Sequence, residues 1–394
     1  MKARWQTKPF GEVLQKTETV NPQQSPQREF EYIDVSSVSN ATFQIGATQR
    51  LMGKDAPSRA RKLVRANDVL FATIRPTLQR IAVVPEWLDG QVCSTGYFVL
   101  RPRPEINHRY LFYSLFTKNF TRQMESLQKG ASYPAVTDGD VKAQIISFPS
   151  LSEQHRIVAL LDKAFDGIAT AKANAEKNLQ NARALFESHL QSVFTERGEG
   201  WVEKPLGAVC EVKDGTHDSP KYVDEGIPFV TQKNIREDGL SLEKTKFILQ
   251  EDHDNFYRRS NAACGDILIS MIGANRGMAC IVDEEQIFSI KNVGLVKQNP
   301  AVDQRFLLYF LKSPQAARHV QSVSKGGAQE FVGLTELRKF PVPVPSLELQ
   351  NLLGERFQSL RDETQRLESL YRQKLAALDD LKKSLLHQAF SGQL

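Results

Sequence analysis

The stretch Asp214-Gly215-Thr216-His217 places a carboxylate, a hydroxyl and an imidazole within four residues, and an imidazole so placed could serve as a general base. No partner for it is identifiable from spacing, so a polar loop contact is the simpler reading. Asp283-Glu284-Glu285 could hold a cation, but three adjacent carboxylates read more simply as a solvated turn. Other chemistry is missing from the sequence. Gly46 and Gly53-Lys54-Asp55 have the wrong spacing and the wrong last residue for the phosphate loop G-x-x-x-x-G-K-[ST]. There is no Pro-Asp dipeptide to open a common nuclease metal motif and no Asn-Pro-Pro to hold an amino group for methyl transfer. H-E-x-x-H and G-x-S-x-G are also absent. The cysteines, Cys93, Cys210, Cys264 and Cys280, form no C-x-x-C and have no histidine at metal spacing, so buried free thiols are expected. The chain reads as a binder, not a catalyst, with neither cofactor nor metal of its own.

Side chains suited to nucleic acid are plentiful. Arg75 and Arg80 flank a Pro-Thr turn after a strand, and Lys129-Gly130-Ala131-Ser132-Tyr133 joins a cation, a hydroxyl and an aromatic ring around a glycine. Further along, Thr216, His217 and Lys221 share one loop, and Lys233, Asn234 and Arg236 follow a strand. Asn275 and Arg276, Lys291 and Asn292, and Lys325 complete the set. Arg and Lys pair with guanine, Asn pairs with adenine, and Lys, Ser and Thr also hold phosphates. Net charge is +5 but uneven: residues 1–150 carry 20 Lys+Arg against 13 Asp+Glu, whereas residues 198–345 carry 18 against 20. A basic surface is therefore expected across the first region and only locally in the second.

These candidates sit on a framework that occurs twice. Residues 152–197 and 348–394 each read as one long helix, with Gln154 matching Gln350, Leu161 matching Phe357 and Phe194 matching Phe390, all at an offset of 196. The globular parts repeat as well: Trp5 with Trp201, Lys8-Pro9 with Lys204-Pro205, Asp68-Val69-Leu70 with Asp266-Ile267-Leu268, and Lys129-Gly130 with Lys325-Gly326. Residues 36–66 against 233–264, and 75–80 against 273–278, diverge, and Arg75, Arg80, Lys233, Asn234, Arg236, Asn275 and Arg276 lie within these stretches. Residues 30–35, 69–74, 81–84, 227–231 and 267–272 are expected as strands, and residues 107–127 and 303–322 as amphipathic helices.

Both long helices carry heptad rows. One row reads Ile157, Ala164, Ala171, Asn178, Leu185 in the first helix and Leu353, Leu360, Leu367, Lys374, Leu381 in the second. The other reads Leu161, Ile168, Ala175, Ala182, His189 and Phe357, Thr364, Tyr371, Leu378, Leu385. An Ala-rich row facing a Leu-rich one suits close interdigitation, with Asn178 and Lys374 expected in the seam as register markers. The expected architecture is α+β. Two globular α/β domains, 1–150 and 198–345, form a tandem pseudo-two-fold repeat with two long antiparallel coiled-coil helices, 151–197 and 346–394. Each helix would be roughly 65–70 Å long. Residues 1–10 lack the apolar core of a signal peptide, and no run reaches 18 apolar residues, so a cytoplasmic protein without a membrane span is expected.

The chain resembles the specificity (S) subunits of type I restriction–modification systems. The resemblance rests on Phe148-Pro149-Ser150-Leu151-Ser152-Glu153-Gln154-His155-Arg156-Ile157, which looks like that family's Pro-x-Leu-x-Glu-Gln-x-x-Ile helix start. It rests also on Asp214-Gly215-Thr216-His217, Gly226-Ile227-Pro228-Phe229-Val230, Lys233-Asn234-Ile235, Gly265-Asp266-Ile267-Leu268 and the end Ala389-Phe390-Ser391-Gly392-Gln393-Leu394. It covers essentially the whole chain. Leu349 and Asn351 depart from the helix-start motif, so weaker contacts are expected there in the second half.

The resemblance implies that each globular domain is a target-recognition domain reading half of a bipartite double-stranded DNA site. The helices would set the spacer and dock two methyltransferase (M) subunits, with restriction/translocase (R) subunits joining through the complex. S-adenosylmethionine, ATP and Mg would belong to those partners. The rival reading is a coiled-coil adaptor whose end domains bind protein or ligand. It accounts for the helices but not for domains that diverge in basic and amide-bearing loops while their framework repeats. A self-contained methylating nuclease would need the motifs that are missing.

Overall fold

The computed structural model describes residues 5–326 and 330–394, so the first four residues of the N-terminal stretch read above lie outside it. The chain forms two compact units, Met1–Asn174 with Lys374–Leu394, and Ala175–Gln373. In the first, strand Gln6–Pro9 pairs antiparallel with Ile145–Phe148, Gln6 opposite Phe148. The beginning and end of the globular part are thus zipped together just before the long helix begins. Strand Val69–Ala72, apolar and buried at all four positions, is the centre of a three-stranded sheet between Ile81–Val83 and Tyr97–Leu100. A run without polar alternation suits a strand covered on both faces. A four-stranded sheet runs in the order Gln49–Met52, Glu29–Ile33, Val92–Ser94, Ala60–Leu63, with a parallel pair in the middle.

The second unit repeats this plan. Val202–Pro205 pairs with Pro341–Val344, and Ile267–Ser270 lies between Val293–Val296 and Ala279–Ile281. Ile227–Val230 again pairs in parallel, here with Ser289–Ile290. The repeated Asp of Asp68-Val69-Leu70 and Asp266-Ile267-Leu268 proves structural. Asp68 is buried against Arg101, 2.9 Å away, and accepts the Arg65 backbone N–H, while Asp266 is buried against Lys297 and accepts that of Ala263. Pairing and hydrogen bonding offset the cost of enclosing such a group.

The expected domain helices are divided. The stretches read as single helices at 107–127 and 303–322 are each a pair: His108–Ser114 with Lys118–Leu127, and Gln304–Leu311 with Pro314–Val323. The break falls where Thr117 and Ser313 cap new helices with their hydroxyls, and Pro314 occupies a first helical position. The divergent region of the second unit also contains a helix, Gln250–Ser260, closed by Asn261 in the left-handed conformation (φ 53°).

The long helices run Leu151–Thr195 and Leu347–Ser391, 45 residues each. Within each unit their segments run antiparallel, because partner numbers fall as residue numbers rise. In the first unit Arg156 reaches the Leu394 carbonyl, Lys382 lies over the Phe165 ring and Lys172 meets Asp379 at 2.7 Å. In the second, Arg183 meets Glu368 at 3.2 Å, Arg361 lies over Phe186 and His189 meets Phe357 edge-on.

Of the heptad rows, Leu161, Ile168, Ala175 and Ala182 stay buried. The row of Ile157 rotates outward, leaving Asn178 and Leu185 exposed, and Lys374 and Leu381 are exposed on the second helix. A straight helix of 3.6 residues per turn drifts about 20° per heptad against a strict seven-residue repeat. Asn178 and Lys374 are therefore not seam markers. The polar groups that do sit inside are Thr364, whose hydroxyl donates to the Leu360 carbonyl at 2.8 Å, and Glu368, held by Arg183 and Arg372.

The helix roots merge with the cores. Phe186, Leu190, Phe194 and Phe357 pack with Phe306, Phe310 and Phe340, and Ile157, Leu161, Leu386 and Ala389 join the first core around Tyr110 and Phe148. Phe357→Ala should cost about 3–5 kcal/mol, as for a fully enclosed ring. Leu367, only half-buried, should lose about 1 kcal/mol on truncation to Ala. Urea unfolding of the two variants checks the order of these losses.

Candidate nucleic-acid interface

The first candidate loop follows the central strand of the first unit. Arg75 has a left-handed backbone (φ 49°), and its N–H bonds the Pro134 carbonyl at 2.7 Å. This seats residue 75 against the glycine loop, which closes on itself by reciprocal Lys129–Ala135 backbone bonds of 2.9 Å. Gly130 turns at φ 101°, in the region where glycine carries no steric penalty. The Arg75 guanidinium reaches the Ser132 carbonyl at 3.3 Å and lies 5.1 Å from the centre of the Tyr133 ring. Tyr133 is 71 % exposed, and Arg75, Ser132 and Lys129 are exposed with it. A guanidinium laid along an aromatic face beside a second cation suits phosphate contact and base stacking.

Arg80 is placed differently. Its Nη1 donates to the Val38 carbonyl at 2.7 Å and to those of Val35 and Ser36 at 3.3 Å. The Tyr97 hydroxyl donates to the Asp34 and Val35 carbonyls at 3.1 Å, and burial pushes its pKa upward. Together these side chains tie down the turn at residues 34–38, and Arg80 is turned inward.

The same position in the second unit is built alike and filled differently. Lys325 and Phe331 exchange backbone bonds as Lys129 and Ala135 do, and the Gly273 N–H bonds the Glu330 carbonyl. Asn275 is exposed. Arg276 is committed to Glu330, to Ser324 Oγ at 2.8 Å and to the Gly273 carbonyl at 3.1 Å. Lys325 is exposed, 3.6 Å from Glu336.

A second cluster of this unit gathers residues far apart in sequence. Gly215 lies so close to the Ile290 carbonyl that a side chain would not fit, which accounts for the glycine in Asp214-Gly215-Thr216-His217. Thr216 is buried and bonds Asp218, whereas His217 is exposed. The His217 ring lies between Asn292 Oδ1 at 2.6 Å and Asp214 Oδ2 at 3.1 Å, and Arg259 Nε bonds the other Asp214 oxygen at 2.9 Å. The Arg259 guanidinium also approaches the ring, its Nη2 lying 3.5 Å from His217 Nε2. Lys291 adds an ammonium held by Ser219 Oγ at 2.5 Å. Lys221, in the same loop, is exposed.

The third group splits. Asn234 is buried and spends its side chain on Thr231, Ser241 and Thr245, shaping the loop. Lys233 and Arg236 are exposed beside it, Arg236 3.6 Å from Glu243. Arg259 escaped the sequence reading. Its only signal was the pair Arg258-Arg259 ending a polar segment, and the buried Asp214 beneath it is a tertiary contact.

Among the described residues no cluster of three or more His, Cys, Asp or Glu could hold a metal ion. Cys93, Cys210 and Cys280 are buried free thiols, those of Cys93 and Cys280 pushed up to about 12 by desolvation, whereas Cys264, expected to be buried with them, is exposed. No helix among the described residues is long and apolar enough to cross a membrane.

The profile of the type I restriction modification DNA specificity domain matches this chain twice, at residues 3–180 and 198–376. The chain is 24% identical over 324 residues to the MjaVIII specificity subunit of Methanocaldococcus jannaschii, covering 77% of this chain and 74% of that one. It is 21% identical over 337 residues to the EcoBI specificity subunit of Escherichia coli, covering 79% and 70%. Among solved structures, it is similar to the HsdS subunit from Thermoanaerobacter tengcongensis, with a TM-score of 0.71, 28% identity and coverage of 99% and 97%. A chain from a study of complex assembly and conformational transition of the type I R-M system gives a TM-score of 0.86 at 27% identity, with 100% of both chains covered. With two copies of its defining domain on a matching fold, the chain belongs to the type I restriction modification DNA specificity family.

Proposed function

We propose that each globular domain reads one half of a bipartite double-stranded DNA target, and that the long helices set the spacer and dock the catalytic subunits. One observation carries this reading. The loop after the central strand is held against the glycine loop by the same backbone bonds in both units, yet presents Arg75 with Tyr133 in one and Asn275 with Lys325 in the other. A repeated mount with different exposed side chains is what two separate half-sites require. The candidate contacts are Arg75, Lys129, Ser132 and Tyr133 in the first domain, and His217, Lys221, Lys233, Arg236, Asn275, Lys291, Asn292 and Lys325 in the second. Arg80, Thr216, Asn234 and Arg276 support them by shaping the loops.

Leu160, Leu185, Leu352 and Leu370 are exposed large apolar side chains of the long helices. Apolar positions left open on otherwise polar helices support docking of partner subunits there. Two methyltransferase subunits would bring S-adenosylmethionine, and restriction/translocase subunits would bring ATP and Mg, in the cytoplasm. The purified chain alone should show no methyl transfer, ATP hydrolysis or DNA cleavage, and turnover free of partners would refute this division of labour.

Arg75→Ala should weaken binding by about 1–3 kcal/mol if it reads a base, relaxing one position of one half-site. It should leave the thermal midpoint unchanged. Arg80→Ala should do the reverse, lowering the midpoint while leaving specificity intact; titration of duplex DNA beside thermal melts separates the two. Domains on one face of a duplex meet major grooves about 34 Å apart, or at multiples of that. Exchanging residues 1–150 for those of a relative should therefore change one half-site only, as read by sequencing methylated sites. A continuous motif, or a change in both halves, would return weight to the adaptor reading.

A further inference from the structure

The helix-start motif contains a glutamine in both halves, and both glutamines are buried. Gln154 Oε1 accepts the Asn107 backbone N–H at 2.8 Å, and its Nε2 donates to the carbonyls of Glu105 at 2.9 Å and Pro149 at 3.0 Å. Gln350 Oε1 accepts the Asp303 N–H at 3.1 Å, and its Nε2 donates to the Pro345 carbonyl at 2.9 Å. In each unit one side chain thus joins three pieces: the strand leaving the domain, the first turn of the long helix, and the cap residue of the domain helix behind it.

Eight residues further, about 12 Å along the axis, each long helix is tied again to that same domain helix. In the first unit Asp162 accepts from Arg109 and from the Tyr113 hydroxyl. In the second, the Tyr309 hydroxyl donates to Gln358 Oε1 at 2.8 Å. The four long-helix residues match at the repeat offset, as do the two tyrosines. Beside the shared apolar core, one bonded point would still allow small rotations of a domain about its helix. Two points fix the direction in which the helix leaves.

We propose that Gln154 with Asp162, and Gln350 with Gln358, are two-point clamps that hold each recognition domain at a set angle to its helix, and so are positioning residues for spacer-length discrimination. The inference rests on the half-site reading above. The two clamps are unequal: the outer point is an Asp162–Arg109 ion pair in the first unit, whereas in the second it is the neutral Tyr309–Gln358 bond, with only a loose, exposed Arg305–Glu355 pair at 3.7 Å nearby. The second clamp therefore depends more on its glutamine, and Gln350→Met relaxes discrimination more than Gln154→Met.

The test measures binding of the chain, assembled with its partner subunits, to duplexes carrying both half-sites at the native spacer and at one base pair more or less. Gln350→Met should bind the native duplex and retain its half-site sequences, while its preference over the altered spacers falls about tenfold. Tyr309→Phe removes only the hydroxyl from the outer point, keeps the packed ring, and should relax the preference in the same direction. Variants that keep the full preference of the unaltered chain overturn the clamp and leave the half-site reading standing. Equal weakening on all three duplexes marks a purely structural role and also overturns it. An unaltered complex indifferent to spacer length overturns the ruler and the clamp together.

Discussion

Burial of the long-helix roots in the globular cores is the contact on which each unit depends. A 45-residue helix with one narrow apolar row has little reason to hold a fixed place by itself. Phe194 and Phe357 resolve this in the second unit by entering the same aromatic cluster as Phe306 and Tyr309, with ring centres 5.5–5.6 Å apart. Ile157, Leu161 and Ala389 do the same beside Tyr110 in the first. Domain and helix share one core, so the domain cannot be repacked without disturbing the helix.

Polar contacts then refine what apolar burial leaves loose. Packing of smooth apolar faces tolerates small rotations, whereas hydrogen bonds between enclosed groups do not, because each bond lost leaves a buried donor or acceptor unpaired. The buried glutamines, Thr364 and Glu368 all sit where the long helices meet their surroundings. The two helix starts differ in their polar contacts. Glu153 pairs with Arg156 at the first helix start, while Leu349 offers no such partner and Gln350 makes two bonds where Gln154 makes three.

The recognition loops follow the opposite logic. Their backbone is fixed by a few bonds that recur in both units, and the side chains on them are free to differ. Arg75 and Arg276 show how far this goes. Both follow the central strand, yet one is spread over an exposed ring while the other is neutralised by Glu330. The second domain, which lacks a net positive charge, instead gathers His217 and Arg259 on one buried carboxylate, Asp214, with Lys291 held by Ser219 in the same loop.

The sequence by itself determined the tandem repeat, the central strands Val69–Ala72 and Ile267–Ser270 and the extent of the two long helices, but not the flanking strands Tyr97–Leu100, Ala279–Ile281 and Val293–Val296. It also excluded the phosphate-loop, zinc-protease and nucleophile-elbow motifs. These are legible because periodicity and local motif are properties of neighbouring residues. The break within each domain-helix pair was written in Thr117 and Ser313-Pro314 but masked by continuous apolar spacing. Helix Gln250–Ser260 was hidden because Phe256 and Tyr257 are adjacent and leave no helical row to read. Only the tertiary structure decided which cations face outward. Arg75 and Arg80 are five residues apart and chemically identical, yet one meets an exposed ring and the other three carbonyls of a distant turn. The seam was decided in the same way, since the drift between 3.6 and 3.5 residues per turn accumulates over the helix and carries Asn178 into solvent. Such outcomes depend on groups remote in sequence and on summed geometry, which no local pattern contains.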